Sequence, residues 1–551
     1  MRQSLLSAPM DILDQPHVFV VAGDITKIEC DAWLLPTDGK PKIEPHFGPS
    51  VGLPDGGVLK GFTWGDNEQV RRWSAPGSRP EIWLGRIGTL STADPKPFVE
   101  GLRAFVEEAA RVIKAPAGRR PILAVPVIGG GKGGMGSHRG ALHHALYNEM
   151  LSVSKAKQVD IVFVTKNRKA YSAAQRARRH VLQTELGGDK ARLWDFGDRS
   201  SGLIEKAARV AALARDEELV LFIGAGASAG LSEGGGIPPW QELLNQVADE
   251  IDQQGVIDRD ALQRHDLRDQ AAILARHASG ESLGQVVRKH LASGAGRYTL
   301  AHGMLCSLPS AENVTTNFDT MFEEACSSVD PQEPLAVLPY RPVTKRRQRW
   351  LLKLHGSVAS EKDDLVLERS AYLDAPLRHG ALYGLVQALL LTRHLLFVGY
   401  SLTDEDFHRV AHEVRMARGG DATTLATALT LFEDTLISEV WPDVDAIPMA
   451  EPNDEPTPAD IMRAARRLLV FLDLLGFETA NQQAFLLDNV YEQMLPDASD
   501  AIADVTDDRK LRAALRALEE RANGHHGDGW TEVWELLRRF GAESAEFGAP
   551  N

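Results

Sequence analysis

The chain has 551 residues, 43% hydrophobic and 25% charged, and its 61 Lys and Arg stand against 76 Asp and Glu, a formal net charge of −15. That length exceeds what one hydrophobic core organises and implies two or three domains. The acidic balance excludes a generic nucleic-acid binder, because phosphate contact needs a basic surface. Cys30, Cys306 and Cys326 are scattered with no C-x-x-C pair, so neither a disulfide framework nor a cysteine zinc site is expected. Asp11 and Asp14 stand where a signal peptide has its apolar core, and apolar stretches such as 468–477 are too short to cross a bilayer. A cytoplasmic protein without membrane contact is the expectation.

Residues 17–22 (HVFVVA) read as a first strand that ends in Gly23, Asp24, Ile25 and Thr26, and 32–35 as a second. Glycine and proline crowd 36–65, which reads as long loops. Residues 97–114 have a helical period, with Phe98, Leu102, Phe105, Ala109 and Val112 on one face. A buried strand at 121–128 runs into the loop Gly129, Gly130, Gly131, Lys132, Gly133, Gly134; a helix at about 138–155 and a strand at 160–165 follow. This alternation indicates an α/β unit with a mostly parallel sheet.

The segments 23–26, 31–32 and 126–134 resemble a macro domain. The resemblance implies that Asp24, beside Ile25, accepts hydrogen bonds from adenine. It also implies that Gly130, Gly131, Gly133 and Gly134 wrap the diphosphate of an ADP-ribose-like ligand. Macro domains place two asparagines after the second strand; this chain has Leu35 and Asp38, which speaks against ADP-ribosyl hydrolysis. Without the resemblance, the same residues read equally well as a glycine-rich surface loop and a strand-ending aspartate.

Residues 190–203 read as a linker and 204–215 as a helix leading into the apolar run 219–223. The expected units are 12–197, 203–450 and 451–551. The second is a Rossmann-like parallel-sheet unit carrying a polar helical insertion, a lid, at about 255–310. An amphipathic helix runs from Trp240 to about 253, and the sheet resumes at Asn313. Late strands are expected at 425–432 and about 445–449, and 451–458 is an acidic, proline-rich connection. The last unit is helical: Ile461, Leu468, Leu469, Leu472 and Leu475 share a face, and more helices are expected near 481–494, 508–522 and 530–540.

The run 219–223 empties into Gly224, Ala225 and Gly226, with Ser228 behind and then GIPPW at 236–240. Small residues at a strand end let backbone N–H groups approach a phosphate. Residues 224–229 also fit the loose G-x-G-x-x-G/A pattern, as a plain tight turn would. Three further motifs follow: VTTNFD at 314–319, LKLHGS at 352–357 and LLFVGYSLTDEDF at 395–407.

In that order the four motifs resemble those of the sirtuin superfamily, in the form found in bacterial NAD hydrolases of anti-phage systems such as Thoeris. The resemblance implies His355 as general base and Asn317 orienting the attacking water or the ribose. It places Asp319 on the nicotinamide amide, Gly224, Ala225, Gly226 and Ser228 against the diphosphate, and Gly399 and Ser401 along the adenosine. The residue types suit the chemistry: an electron-poor anomeric carbon needs a proton acceptor nearby, and imidazole titrates near neutral pH. Other readings stand beside these. Asn317 and Asp319 fit an Asx turn, Asp404 and Asp406 fit a helix cap, and Trp240 fits a packing role. The basic run 345–349 reads as a solvated loop, and His525–His526 as an exposed pair.

Residues 356–395 contain no cysteine, whereas deacylating sirtuins carry four zinc-binding cysteines in that interval. Water is then the expected nucleophile and no metal is expected. The resemblance therefore implies a hydrolase with NAD as substrate, releasing nicotinamide and ADP-ribose or a cyclic form. As a defence effector it would deplete cellular NAD, act as a homo-oligomer or with a partner defence protein, and be restrained by its additional domains. The alternatives are a non-catalytic NAD or ADP-ribose sensor, and a zinc-free protein deacylase or ADP-ribosyltransferase.

Overall fold

The computed structural model describes the chain apart from residues 1–13, 76, 89–93, 131–133, 136–137, 233–235, 253–254, 279, 295–296, 332, 363, 403–404, 420–423, 495–502, 524, 526–528 and 543–551. Strand alternation builds the first sheet. In β1 (Val18–Ala22), Phe19 and Val21 enter one core while Val18, Val20 and Ala22 enter another, the two-residue period of a strand buried on both faces. The elements that follow are β2 (Ala32–Asp38), β3 (Lys42–Ile43), β4 (Gly57–Val58), β5 (Val70–Arg72), β6 (Glu81–Gly88), α1 (Lys96–Val112), β7 (Ile122–Pro126), α2 (Arg139–Lys157), β8 (Asp160–Thr165) and α3 (Arg168–Thr184). Six strands form a sheet in the order β1-β8-β7-β2-β6-β5, parallel except for the antiparallel β5–β6 pair, while β3 and β4 pair separately.

The second half contains α4 (Ser200–Arg215), β9 (Leu219–Ile223), α5 (Trp240–Ile251), α6 (Arg259–Gln263), α7 (Leu267–His277), α8 (Leu283–Gly294), α9 (Leu300–Ser307), β10 (Glu312–Thr315), α10 (Met321–Val329), β11 (Ala336–Leu338) and β12 (Trp350–Lys353). After these come α11 (Arg369–Arg378), α12 (Gly380–Thr392), β13 (His394–Val398), α13 (Glu405–Ala417), β14 (Ala426–Phe432), α14 (Ile437–Val440) and β15 (Val444–Ala450). The seven strands form a wholly parallel, Rossmann-like sheet in the order β11-β12-β10-β9-β13-β14-β15. Leu219, Leu221 and Ile223 of β9 face one core, Val220 and Phe222 the other.

The chain closes with α15 (Pro458–Thr479), α16 (Ala503–Ala522) and α17 (Trp530–Arg539). Thr457 and Asp460 form a reciprocal capping box at the start of α15, with Pro458 in the first turn. Its segment 468–477 is buried throughout and joins both sheets in one continuous core with Phe19, Val21, Leu219 and Leu221. At its centre Asp473 accepts hydrogen bonds from Val20 N at 3.0 Å, Arg178 Nη1 at 2.9 Å and Trp194 Nε1 at 2.8 Å, and pairs with His17 Nε2 at 2.9 Å. Desolvation opposes the charge, but Arg178 and His17 outweigh it and hold the Asp473 carboxyl down at about 2.

Four expectations are corrected. The segment 190–203 is no exposed linker: Trp194 and Phe196 are fully buried, with Trp194 packed 4.7 Å from Phe477 between ring centroids. The end of the expected lid is core, because Leu300, Ala301, Gly303, Met304 and Leu305 of α9 are buried. Cys306 and Cys326 form a disulfide, with Cα atoms 5.4 Å apart, which ties α9 to α10; a spacing of 20 residues with no motif gave no sign of it. Within the basic run, Lys345, Arg346 and Arg347 are exposed as expected. Arg349 instead donates to the Cys306 carbonyl at 2.6 Å and lies over the Phe322 ring, and burial pulls its pKa down to about 9.

Candidate active site

Register assembles the site. β10 pairs with β9 and with β12, so Thr315 lies beside Ile223 on one side and Lys353 on the other. Gly224 is the next residue after β9, while Asn317 and His355 each lie two residues past the Thr315–Lys353 pair. β13 adds Gly399 immediately after Val398, which pairs with Ile223. Four strands therefore deliver four motifs to the same carboxyl edge, where open parallel sheets place their ligand crevice.

The glycines are needed because two loops touch there. Gly224 N–H donates to the Val398 carbonyl at 2.9 Å and Gly226 N–H to the Gly399 carbonyl at 2.8 Å. A Cβ on Gly399 would lie 2.1 Å from Ala227 N, and its φ of +67° is itself a left-handed conformation. Ala225 and Gly226 remain exposed, whereas Ser228 is buried. Ser401 is exposed beside them.

Behind this loop lies a buried polar cluster. Ser228 Oγ donates to Asp319 Oδ2 at 2.9 Å and accepts from Asn317 Nδ2 at 3.1 Å. Asp319 Oδ1 in turn accepts from Met321 N at 2.9 Å, and Asn317 N donates to Thr315 Oγ1 at 3.0 Å. Asp319 thus closes the Asx-type turn, and the side chains of Asn317 and Asp319 both reach Ser228.

His355 is 3% exposed. Its carbonyl accepts from Val366 N at 2.9 Å, and the next residue, Gly356, has φ +97° with no room for a Cβ against the Asp364 carbonyl. The imidazole meets the Tyr372 ring edge-on with centroids 5.0 Å apart, and the Arg268 guanidinium lies 4.4 Å from the centre of that ring. Arg369 holds α11 to α7 through Asp269, at 2.6 and 3.0 Å. The inserted helix α7 thereby reaches the histidine through one aromatic ring.

Sequence reading missed two more contributors. Lys353 is buried and donates to the Asp319 carbonyl and, at 3.0 Å, to Glu323 Oε1, so the histidine strand also clamps the loop that carries Asn317. Its place two residues before His355 was the available signal. His302 of α9 lies 2.8 Å from Thr299 Oγ1; burial pulls its pKa down to about 4, against the nearby Asp319 charge.

Of the other residues singled out, Trp240 packs at 5.6 Å from Phe318, and His525 lies 4.6 Å from Trp530 between ring centroids. Asp404 and His526 lie outside the described residues, as does the side chain of Asp406. Among the described residues, no group of three or more His, Cys, Asp or Glu is placed to hold a metal, and no helix is long and apolar enough to cross a membrane.

The second candidate site lies at the ends of β1 and β7. Asp24 Oδ1 accepts from Thr26 N at 2.9 Å and Thr26 Oγ1 at 2.7 Å, with His46 Nε2 at 3.2 Å. Burial opposes the charge, yet His46 and Thr26 bring the Asp24 carboxyl down to about 2. Ile25 is buried. The Gly129 carbonyl accepts from Met135 N at 2.8 Å, and a Cβ on Gly134 would come within 2.2 Å of it. A Cβ on Gly130 would lie 3.2 Å from the Val127 side chain, while Gly131 and Gly133 lie outside the described residues.

Residues 311–440 match the SIR2-like domain. The match takes in the candidate residues Asn317, Asp319, His355, Gly399 and Ser401. Relatives include NAD(+) hydrolase ThsA of Cytobacillus dafuensis, 25% identical over 198 residues, or 35% of this chain and 38% of that protein. NAD(+) hydrolase ThsA of Enterococcus faecium is 28% identical over 197 residues, 34% of this chain and 39% of that one. Defense-associated sirtuin 2 of Bacillus subtilis is 22% identical over 227 residues, 39% of this chain and 21% of that one. The chain thus spans less than half the length of each of these relatives.

Proposed function

We propose that the SIR2-like half hydrolyses NAD at its nicotinamide–ribose bond. The observation that carries this reading is the Asn317–Ser228–Asp319 cluster beneath the exposed Ala225–Gly226 loop, with His355 at the same level of the sheet edge. In the step, a water oxygen bonds to the anomeric carbon and the carbon–nitrogen bond breaks with its electron pair going to nicotinamide. The water proton passes to His355. Asn317 orients the water or the ribose hydroxyls without adding charge, Asp319 receives the carboxamide, and the 224–228 backbone with Gly399 and Ser401 lines the dinucleotide. Relatives named as NAD(+) hydrolases support this reading.

The N-terminal half is the regulatory unit of this proposal, a macro-like domain that takes an ADP-ribose-like ligand. The half-buried Asp24 carboxylate at the end of β1 and the close-packed Gly129 and Gly134 after β7 support that role. A relative named as a defense-associated sirtuin supports a role in defence; in this proposal the chain is an anti-phage effector that depletes NAD in the cytoplasm, as a homo-oligomer or with a second defence protein. The test is incubation of the purified protein with NAD and chromatographic separation of nicotinamide, ADP-ribose and cyclic products. Nicotinamide release with ADP-ribose supports hydrolysis; unaltered NAD removes it.

A further inference from the structure

Glu29 belongs to the N-terminal half, three residues before β2, and is 1% exposed. Its carboxylate is used entirely by the other half of the molecule. Oε1 accepts from Leu231 N, from Ser232 N at 2.5 Å and from Ser232 Oγ at 3.1 Å, and Oε2 accepts from Leu300 N at 3.2 Å. Three of those donors are backbone N–H groups: two lie three and four residues past the 224–228 nucleotide loop, and the third belongs to the first turn of α9. An anion at that place complements the helix dipole.

The residues around Glu29 reinforce the connection. Tyr298 N–H donates to the Lys27 carbonyl and Glu29 N–H to the Tyr298 carbonyl, each at 2.9 Å, which joins segment 27–29 to 298 as a short parallel bridge. Tyr298 points back into the first half, where its hydroxyl accepts from Asp24 N at 2.9 Å and fills the space a Cβ on Gly23 would need. Thr299 points forward: its hydroxyl donates to the Ala227 carbonyl at 2.7 Å, inside the nucleotide loop. Gly303 of α9 lies so close to Val21 of β1 that an added Cβ would come within 2.8 Å of it. The Tyr298–Thr299 pair of the second half therefore touches Asp24 of the first half on one side and the nucleotide loop on the other.

We propose that Glu29 is a positioning residue for the dinucleotide loop of the SIR2-like half. Through Glu29 and the Tyr298–Thr299 pair, ligand occupancy beside Asp24 controls how well residues 224–232 receive the NAD diphosphate. This rests on the NAD-cleaving reading above and adds its regulation. A hydrogen-bonded chain with two arrangements controls affinity only if the effector favours one of them. A tenfold change in NAD affinity corresponds to 1.4 kcal/mol.

The full-length chain tests it through Glu29→Gln and Tyr298→Phe, with NAD as substrate and ADP-ribose as the effector probe. The amide introduced by Glu29→Gln turns N–H groups toward donors, so KM for NAD rises at least about tenfold while kcat stays within about threefold; a role in stability alone would move the melting temperature and leave that split untouched. Tyr298→Phe leaves KM without effector unchanged and reduces the response to ADP-ribose, which keeps the question answerable if Glu29→Gln fails to fold. Where the wild type cleaves NAD and both folded variants match it in KM and in ADP-ribose response, the proposal is wrong and the hydrolase reading stands. Where the wild type cleaves no NAD, the hydrolase reading falls and calorimetric NAD affinity decides the proposal. A tenfold loss in Glu29→Gln upholds the positioning role, and equal affinities, or none in either protein, overturn it.

Discussion

Asp319 accepts the Ser228 hydroxyl at 2.9 Å across 91 residues of sequence, which ties the loop after β9 to the loop after β10 at the point where the dinucleotide would enter. Ser228 has no other sequence distinction than its place behind the glycines. Ser228→Ala removes the acceptor of the Asn317 amide and the donor to Asp319 together. NAD turnover should fall by about tenfold or more, and stability by about 1–3 kcal/mol for the unsatisfied buried carboxylate oxygen. Steady-state kinetics beside thermal melting reads both.

His355 and Asn317 separate by kinetics. His355→Ala should lower nicotinamide release by on the order of 10²–10⁴ with circular dichroism unchanged. Asn317→Ala should reduce kcat while calorimetry still detects NAD. Loss of NAD affinity with unchanged turnover per bound enzyme would assign Asn317 to binding instead.

Lys353 is a buried ammonium held by the Asp319 carbonyl and Glu323. Lys353→Met keeps the length of the side chain and leaves Glu323 without its partner. Removing one member of a buried pair costs about 3–5 kcal/mol, and chemical denaturation should show a loss near the lower end, since Glu323 retains some exposure.

Gly399→Val places a branched side chain at φ +67° and into Ala227 N. The two loops must separate, so NAD binding should be lost even where the sheet still forms. Full NAD affinity in this variant would show that the close approach of the loops is dispensable.

Burial pulls His143, His144 and His302 down to about 4. A histidine with a folded pKa below its unfolded value takes a proton more readily when unfolded. Its contribution is therefore complete above about pH 6.5 and declines as the pH falls toward 4. For His143 and His144 the loss amounts to about 2 kcal/mol each at pH 5. Melting temperatures measured between pH 7.5 and 5 should fall steadily, and His143→Gln should flatten part of that slope.

Local chemistry was legible where it is local. Gly224, Gly226 and Gly399 stand at strand ends because backbones touch there, and the apolar run 219–223 announced a strand. The strand Glu81–Gly88 and the helix Arg168–Thr184 went unread, although both are long. Glu29 carried no signal at all, because its partners Leu231, Ser232 and Leu300 are brought to it only by folding. Trp194 and Phe196 did offer one: two aromatics within an expected linker already argued for burial.

Helix α15 sets the order in which the molecule can be made. Asp473 binds Val20 across 453 residues, so β1 leaves the ribosome long before the carboxylate that satisfies its amide exists. Both sheets are complete in sequence by Ala450, yet each keeps an apolar face open until residues 468–477 arrive. Such a nascent chain has exposed hydrophobic surface throughout most of its synthesis. Assembly of the half built on β9–β15 is thereby tied to translation through residue 479, and a product interrupted earlier lacks the helix that completes its core.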